Sequence, residues 1–370
     1  MRTTVLLFLV FGFLLPSAWA EDPAPDAGNA PPAEATPEKE PEVDGEDLET
    51  TIDEFDDYTR LDETVVIATR TKKNQFDLPR STTVIPRELL REAQPRNVVE
   101  AITRRDAGII QDIRTASTGD PIMRGFAGFN LLALIDGNTF STLWGEGGFG
   151  ADDMYGKIDP ETVERIEIVH GPTSVLYGSN ALGGVINFIT RTSPIDYTEE
   201  GVSMGGRVKG IYTSNTQGYR LRGEVYGATP LVKGLLGVTY GDFGNGESAD
   251  EELDPTHSKE FNFDIRTDWV LAEGQELRVS ILNTHRDPTV RYYRPTQENT
   301  NDRTGVSVSW RADEMSFMED FEWRVYYQYK RDERRWNDGT GREGYARTDT
   351  YSTDAQASTD LGAGHILTYG

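Results

Sequence analysis

From residue 201 onward the chain runs in segments of about ten residues whose apolar and polar positions alternate. In one segment Phe261, Phe263, Ile265 and Trp269 share a face, while Asn262, Asp264, Arg266 and Asp268 occupy the other. Residues 321–330 repeat the scheme with Trp323, Val325, Tyr327 and Tyr329. A period of two is that of a strand whose two faces meet unlike surroundings. Lipid outside and water inside would impose it, and so would one-sided burial in a soluble sandwich. The connections favour the first. Short turns at 229–230, 272–275 and 360–364 alternate with longer polar loops expected at 244–258, 286–302 and 332–347. Such end-to-end asymmetry characterises outer-membrane barrels; the connection between 311 and 321 is intermediate and fits less well.

Residues 76–191 are patterned differently. Pro86, Leu89 and Leu90 open a short helix, and Asn97 caps a second whose face is Val98, Val99, Ala101 and Ile102. Strands are expected at 108–113, 121–124 and 131–135, the last followed by the turn signal Asp136-Gly137. A Gly-rich loop at 140–154 carries Trp144, Glu146, Phe149, Asp152 and Asp153, and Pro160 starts another short helix. A strand at 166–169 breaks at Gly171-Pro172, a short turn ends at Gly178, and Gly183-Gly184 leads into a second apolar strand. The expected fold class is therefore an α+β domain followed by antiparallel, membrane-spanning β-barrel strands.

Arg2, the apolar run 5–15 and Ala18-Trp19-Ala20 form an export signal over residues 1–20. The run is shorter than the about 20 residues needed to span a bilayer as a helix. Residues 21–57 are rich in Pro, Ala, Glu and Asp, with Lys39 as the only basic residue, and are expected to be a disordered linker reaching to residue 60. Residues 61–68 then bring strand formers to the end of that tether. They can add to the edge of a partner's sheet or serve as the first strand of the next domain. A net charge of −25 argues against a nucleic-acid partner, and zero cysteines exclude disulfides and thiolate metal sites. No nucleophile elbow, HExxH or GxxxxGK is present, so no enzyme is expected.

Residues 165–191 read RIEIVHGPTSVLYGSNALGGVINFITR. With Met123-Arg124-Gly125-Phe126 and Leu134-Ile135-Asp136-Gly137, they resemble the plug-domain motifs of the TonB-dependent outer-membrane receptors. The resemblance rests on Arg124, Gly125, Asp136, Gly137, Glu167, Gly171, Pro172, Tyr177, Gly178, Gly183 and Gly184. His170 stands where the family usually has Arg. Asp62, Thr64, Val65, Val66, Ile67 and Ala68 are similar to the family's TonB box. The resemblance implies a plug at 69–195 inside a barrel that begins at about residue 200. It further implies a monomer in the outer membrane of a Gram-negative-type bacterium, contacting lipid outside and TonB in the periplasm. Its implied work is energised uptake of a scarce nutrient of the siderophore-iron, haem or cobalamin class, without a resident cofactor or metal. A rival reading is a surface receptor or adhesin that binds without transporting.

Arg124 and Glu167 are expected to pair within the plug or against the barrel wall. For the ligand, the candidates are Trp144, Glu146 and Phe149 on the Gly-rich loop, which could face outward or pack on the wall. A second group is Arg291, Tyr292, Tyr293 and Arg294, a basic aromatic cluster on an expected outer loop that suits an anion. His257 and His285 lie in or beside those loops without metal-ligand spacing, and the acidic run 250–252 with Asp254 lacks the turn of an EF-hand. Some 170 residues follow the plug, room for roughly nine strands. A plugged barrel has about 22, so a truncated chain is expected.

Overall fold

The computed structural model describes residues 64–65, 73–74, 81–113, 119–140, 154–177, 180–292, 294–315, 318–362 and 365–370. The export signal, the linker, most of the box and the loop with Trp144, Glu146 and Phe149 lie outside the described residues, as do Gly178 and Tyr293. All described residues belong to one compact unit, Asp62–Gly370.

In chain order the first part comprises β1 (Thr64–Val65), β2 (Lys73–Asn74), β3 (Thr82–Ile85), α1 (Arg87–Ala93) and α2 (Val98–Thr103). Then follow β4 (Ile109–Ile113), β5 (Gly119–Met123), β6 (Phe126–Ala127), β7 (Leu131–Ile135) and β8 (Asn138–Thr139). It closes with β9 (Val163–His170), α3 (Ser174–Tyr177) and β10 (Gly184–Thr190). The main sheet has the order β3-β9-β10-β7-β8. Within it β10 runs parallel to β7 and antiparallel to β9. As expected from its sequence, Asn97 caps α2, its Oδ1 accepting the Glu100 amide at 2.9 Å. The apolar faces of α1, α2, β4, β7, β9 and β10 close one core around Ile102, Ile166, Ile186 and Phe188. From beyond position 200, the apolar side chain of Leu282 packs against it.

The glycines before β10 are forced by approach distance. A Cβ on Gly184, at φ +155°, would stand 2.5 Å from the Val169 carbonyl oxygen and 2.6 Å from Met123 Sδ. Gly184→Ala is therefore expected to destabilise this part by about 1–3 kcal/mol, measurable as a shift in its thermal unfolding.

Residues 203–369 form a nine-stranded antiparallel sheet in sequence order. Its strands are β11 (Ser203–Thr213), β12 (Gly218–Ala228), β13 (Val232–Phe243), then past the small hairpin β14 (Gly246–Glu247) and β15 (Glu252–Leu253), β16 (Ser258–Ala272). The rest are β17 (Gln275–Arg291), β18 (Arg294–Met315), β19 (Met318–Trp336), β20 (Glu343–Asp360) and β21 (Ile366–Tyr369). The sheet is open among the described residues, with β11 and β21 at its edges. No helix among the described residues is long and apolar enough to cross a membrane, which leaves strands as the elements able to do so.

The alternation sorts as its sequence predicts. On β16, Asn262, Asp264, Arg266 and Asp268 are buried, while Phe261 and Trp269 are 47% and 43% exposed on the other face. Trp269, Leu277, Trp310 and Trp323 form one cross-strand row near the short-turn end, as expected of an aromatic girdle.

Two expected loops are corrected. Residues 286–302 and 332–347 are mostly strand: β17 and β18 continue to a tight tip at 291–294, and β19 and β20 leave only 337–342 between them. Beyond an apolar band neither strand face needs to be apolar, so these extensions carry polar residues on both sides and read as loop.

Candidate functional site

The site is the contact between the N-terminal domain and the polar face of the nine-stranded sheet. Its first centre is Asp136, at the turn after β7, with φ +50°. Asp136 Oδ1 accepts the Thr190 amide at 2.9 Å and Oδ2 accepts the Thr190 hydroxyl at 2.6 Å, tying the turn to the end of β10. Arg266 of β16 forms an ion pair with Asp136 at 3.3 Å and donates to the Thr190 carbonyl at 2.9 Å. Arg324 of β19 donates to the Asp136 carbonyl at 2.8 Å, and the neighbouring Gly137 amide donates to Asn187 Oδ1 at 3.0 Å. Burial pushes the Asp136 carboxyl up, but the Arg266 guanidinium and the two Thr190 bonds outweigh it and hold it below its usual range.

The second centre is buried deeper. Asp159 caps the short turn before β9, accepting the Glu161 amide at 2.9 Å, and faces Arg222 of β12 at 3.8 Å. Arg222 is held by Glu224 at 2.6 Å and Asp264 at 2.8 Å, and donates to the Thr239 hydroxyl at 3.0 Å. Arg191, the residue after β10, joins the same Glu224. Burial raises the Asp159 carboxyl, and Arg222 with Arg220 more than reverses this, so it too lies below its usual range. Around these centres, Lys157 pairs with Asp332 at 2.7 Å, Glu161 with Lys209 at 2.7 Å, and Lys330 sits 4.0 Å from the centre of the Phe140 ring.

The contrast in chemistry matters. The domain's interior is apolar and nearly self-contained, whereas its contact with the sheet is made of ion pairs and hydrogen bonds. Water can replace polar contacts of this kind far more readily than it can fill an apolar core.

The motif residues divide by role. Asp136, Gly137 and Thr190 meet the sheet. Glu167 is fully buried but pairs with Arg165 of its own strand at 2.8 Å. The expected pairing of Arg124 with Glu167 is therefore corrected: Arg124 is exposed at a turn with φ +51° and points along Gly171. Pro172 is exposed and Tyr177 half-buried, while Gly125 and Gly171 take φ +83° and +89°, open to glycine. His170, in place of the family's Arg, finds a partner of its own. Its Nε2 lies 2.8 Å from Asp106 Oδ2, which also accepts the Thr83 hydroxyl at 2.8 Å. His170→Ala is expected to cost about 1–3 kcal/mol through the uncompensated buried carboxylate, seen as faster amide exchange in β3 and β9.

Of the ligand candidates among the described residues, Arg291 is buried at the end of β17, and Tyr292 and Arg294 are exposed at the hairpin tip. His285 pairs with Asp302 on the neighbouring strand, and the amide of His257 donates to Asn245 Oδ1 at 3.1 Å. Of the box, Thr64 and Val65 pair antiparallel with Asn74 and Lys73. Sequence reasoning missed Asp159, Lys157, Arg222 and Arg266 as interface residues; the only signal was their polarity on alternating or turn positions.

Residues 74–185 match the family model described as the TonB-dependent Receptor Plug Domain. Over 323 residues, 84% of this chain and 46% of the relative, the chain is 26% identical to a hemin receptor of Yersinia enterocolitica. It is 35% identical over 140 residues to an iron-regulated outer membrane virulence protein of Vibrio cholerae, covering 36% of this chain and 21% of that protein. Among solved structures, the hemophore receptor HasR of Serratia marcescens, in complex with its hemophore HasA and heme, superposes with a TM-score of 0.65. That match has 19% identity and covers 80% of this chain and 44% of HasR, a likeness of fold. The chain spans less than half the length of the curated relatives it matches.

Proposed function

Since this chain belongs to the TonB-dependent receptors, with their plug and the strands that follow it, we propose that it works as the plug and part of the wall of an outer-membrane transporter. In this reading the apolar row on the sheet meets lipid, the polar face encloses the plug, and the nutrient enters from the side of the long hairpins. TonB engages residues 62–68 by strand addition and pulls, and the plug moves against the wall. The observation that carries the reading is the plug's apolar core set on a largely polar contact with the sheet. Ligand outside and pull inside are then linked through a contact that can rearrange in water.

For the nutrient, iron in haem is the form favoured by the similarity of most of the chain to hemin receptors. Siderophore-bound iron and cobalamin are its competitors. The test is growth of an uptake-deficient host carrying the complete gene, under iron limitation, with hemin, ferric siderophores or, in a separate auxotroph, cobalamin. Growth on hemin alone is the expected result. Growth restored by none of them would instead favour a surface receptor that binds without transporting.

A further inference from the structure

We infer that Thr83, Asp106 and His170 form a latch that holds the first strand of the plug's main sheet against a pull arriving from residues 62–68. Load entering along the chain at residue 81 meets β3 before any other strand of that sheet. β3 is the sheet's edge and pairs with β9 alone, whereas β9 is flanked by β3 and β10. An edge strand of four residues, bonded on one side only, belongs to the part of a sheet that opens most easily.

Side chains reinforce β3 where the load enters. The His170 amide donates to the Ser81 carbonyl at 3.0 Å, tying the end of β9 to the residue before β3. The Thr83 hydroxyl donates to Asp106 Oδ2 at 2.8 Å. His170 Nε2 lies 2.8 Å from the same oxygen and 3.3 Å from the Thr83 hydroxyl. Asp106 is itself held from behind. Its Oδ1 accepts the Gly108 amide at 2.9 Å, and its own amide donates to the Ile102 carbonyl of α2 at 2.9 Å. One carboxylate oxygen thus joins β3, the corner between α2 and β4, and the end of β9.

The His170 and Asp106 side chains are 5% and 7% exposed, so little water is at hand to replace these bonds as they stretch. Bonds to a carboxylate are also stronger than the neutral backbone bonds beside them. The next anchor along the chain is Arg87 at the start of α1, buried and donating to the Val163 carbonyl at 2.6 Å. A pull on residues 62–68 therefore loads the latch before it reaches the packed plug, and the latch sets the force at which β3 leaves β9. That TonB supplies the pull rests on the proposed transport, whereas the latch itself does not.

The test is single-molecule pulling of the complete receptor in a lipid bilayer, without TonB, through a Leu61→Cys handle, since these 370 residues contain no cysteine. Residues 62–81 should extend to about 70 Å before a force peak, and release of residues 82–86 should then add about 17 Å. Thr83→Val keeps the shape and strand preference of the side chain. It should speed rupture at that peak about tenfold at constant force, the worth of one hydrogen bond to a charged group. His170→Ala should do likewise, and the two together should give less than the product of their separate effects, because both act through Asp106 Oδ2. Asn97→Ala, which removes a helix cap off the load path, should leave the peak unchanged. No peak near about 70 Å, a rupture rate unmoved by Thr83→Val, or an equal effect of Asn97→Ala would overturn the latch. Uptake that survives deletion of residues 62–68 would count against the transport reading alone, leaving the force measurement to decide the latch.

Discussion

Replacing Arg222 with alanine is expected to destabilise the joined plug and wall by about 3–5 kcal/mol, the usual consequence of removing one member of a buried ion cluster. The side chain of Arg222 is 1% exposed and serves Glu224, Asp264 and, across the contact, Asp159. Without it three carboxylates face one another in a nearly dry space, and only Arg191 and Arg207 remain on Glu224. Loss should appear as a lower unfolding temperature in detergent and as protease cleavage within the plug. Arg347→Ala, which removes an exposed pair with Asp349, should leave both unchanged. Equal behaviour of the two variants would contradict the role given to the cluster.

Asp136→Ala should have the next largest effect, because one carboxylate does two jobs. It locks the turn to Thr190 inside the plug and holds Arg266 on the wall. The loss is expected to be about 3 kcal/mol, combining two hydrogen bonds, a buried cation left without its partner and a left-handed backbone that alanine tolerates less well than aspartate. Asp136→Asn keeps the backbone preference and one acceptor, so it should fall between. The pH dependence has a definite sign. The folded carboxyl titrates below its unfolded value of about 3.9, so its contribution is full above that value and is lost as pH falls through the folded pKa. In Asp136→Ala this part of the acid destabilisation should disappear.

How far the molecule was legible in its sequence depends on how local the cause was. Alternation along β16 and β19 separated the two faces of the sheet, because unlike surroundings sort neighbouring residues by polarity alone. Asn97 marked a helix start, set within a few residues by the Glu100 amide it accepts. The long hairpins were misread since Arg286 to Asp302 has no apolar face to signal a strand. The interface was illegible for another reason. Asp136 meets Arg266 across 130 positions and Lys157 meets Asp332 across 175. Nothing in a period or a spacing pairs residues so far apart. Glu167 was assigned to Arg124 by motif, but two positions along its own strand Arg165 lay on the same face and took it.

The central claim is that the plug is moved against the wall by a pull on residues 62–68. The most direct measurement is accumulation of the supported nutrient by energised cells carrying the complete receptor, intact or lacking residues 62–68, with binding at the cell surface measured in parallel. The account predicts that the deletion abolishes accumulation, as a protonophore does to the intact protein, while surface binding stays within about twofold, because the two sites are coupled but separate. Accumulation that survives the deletion would contradict it.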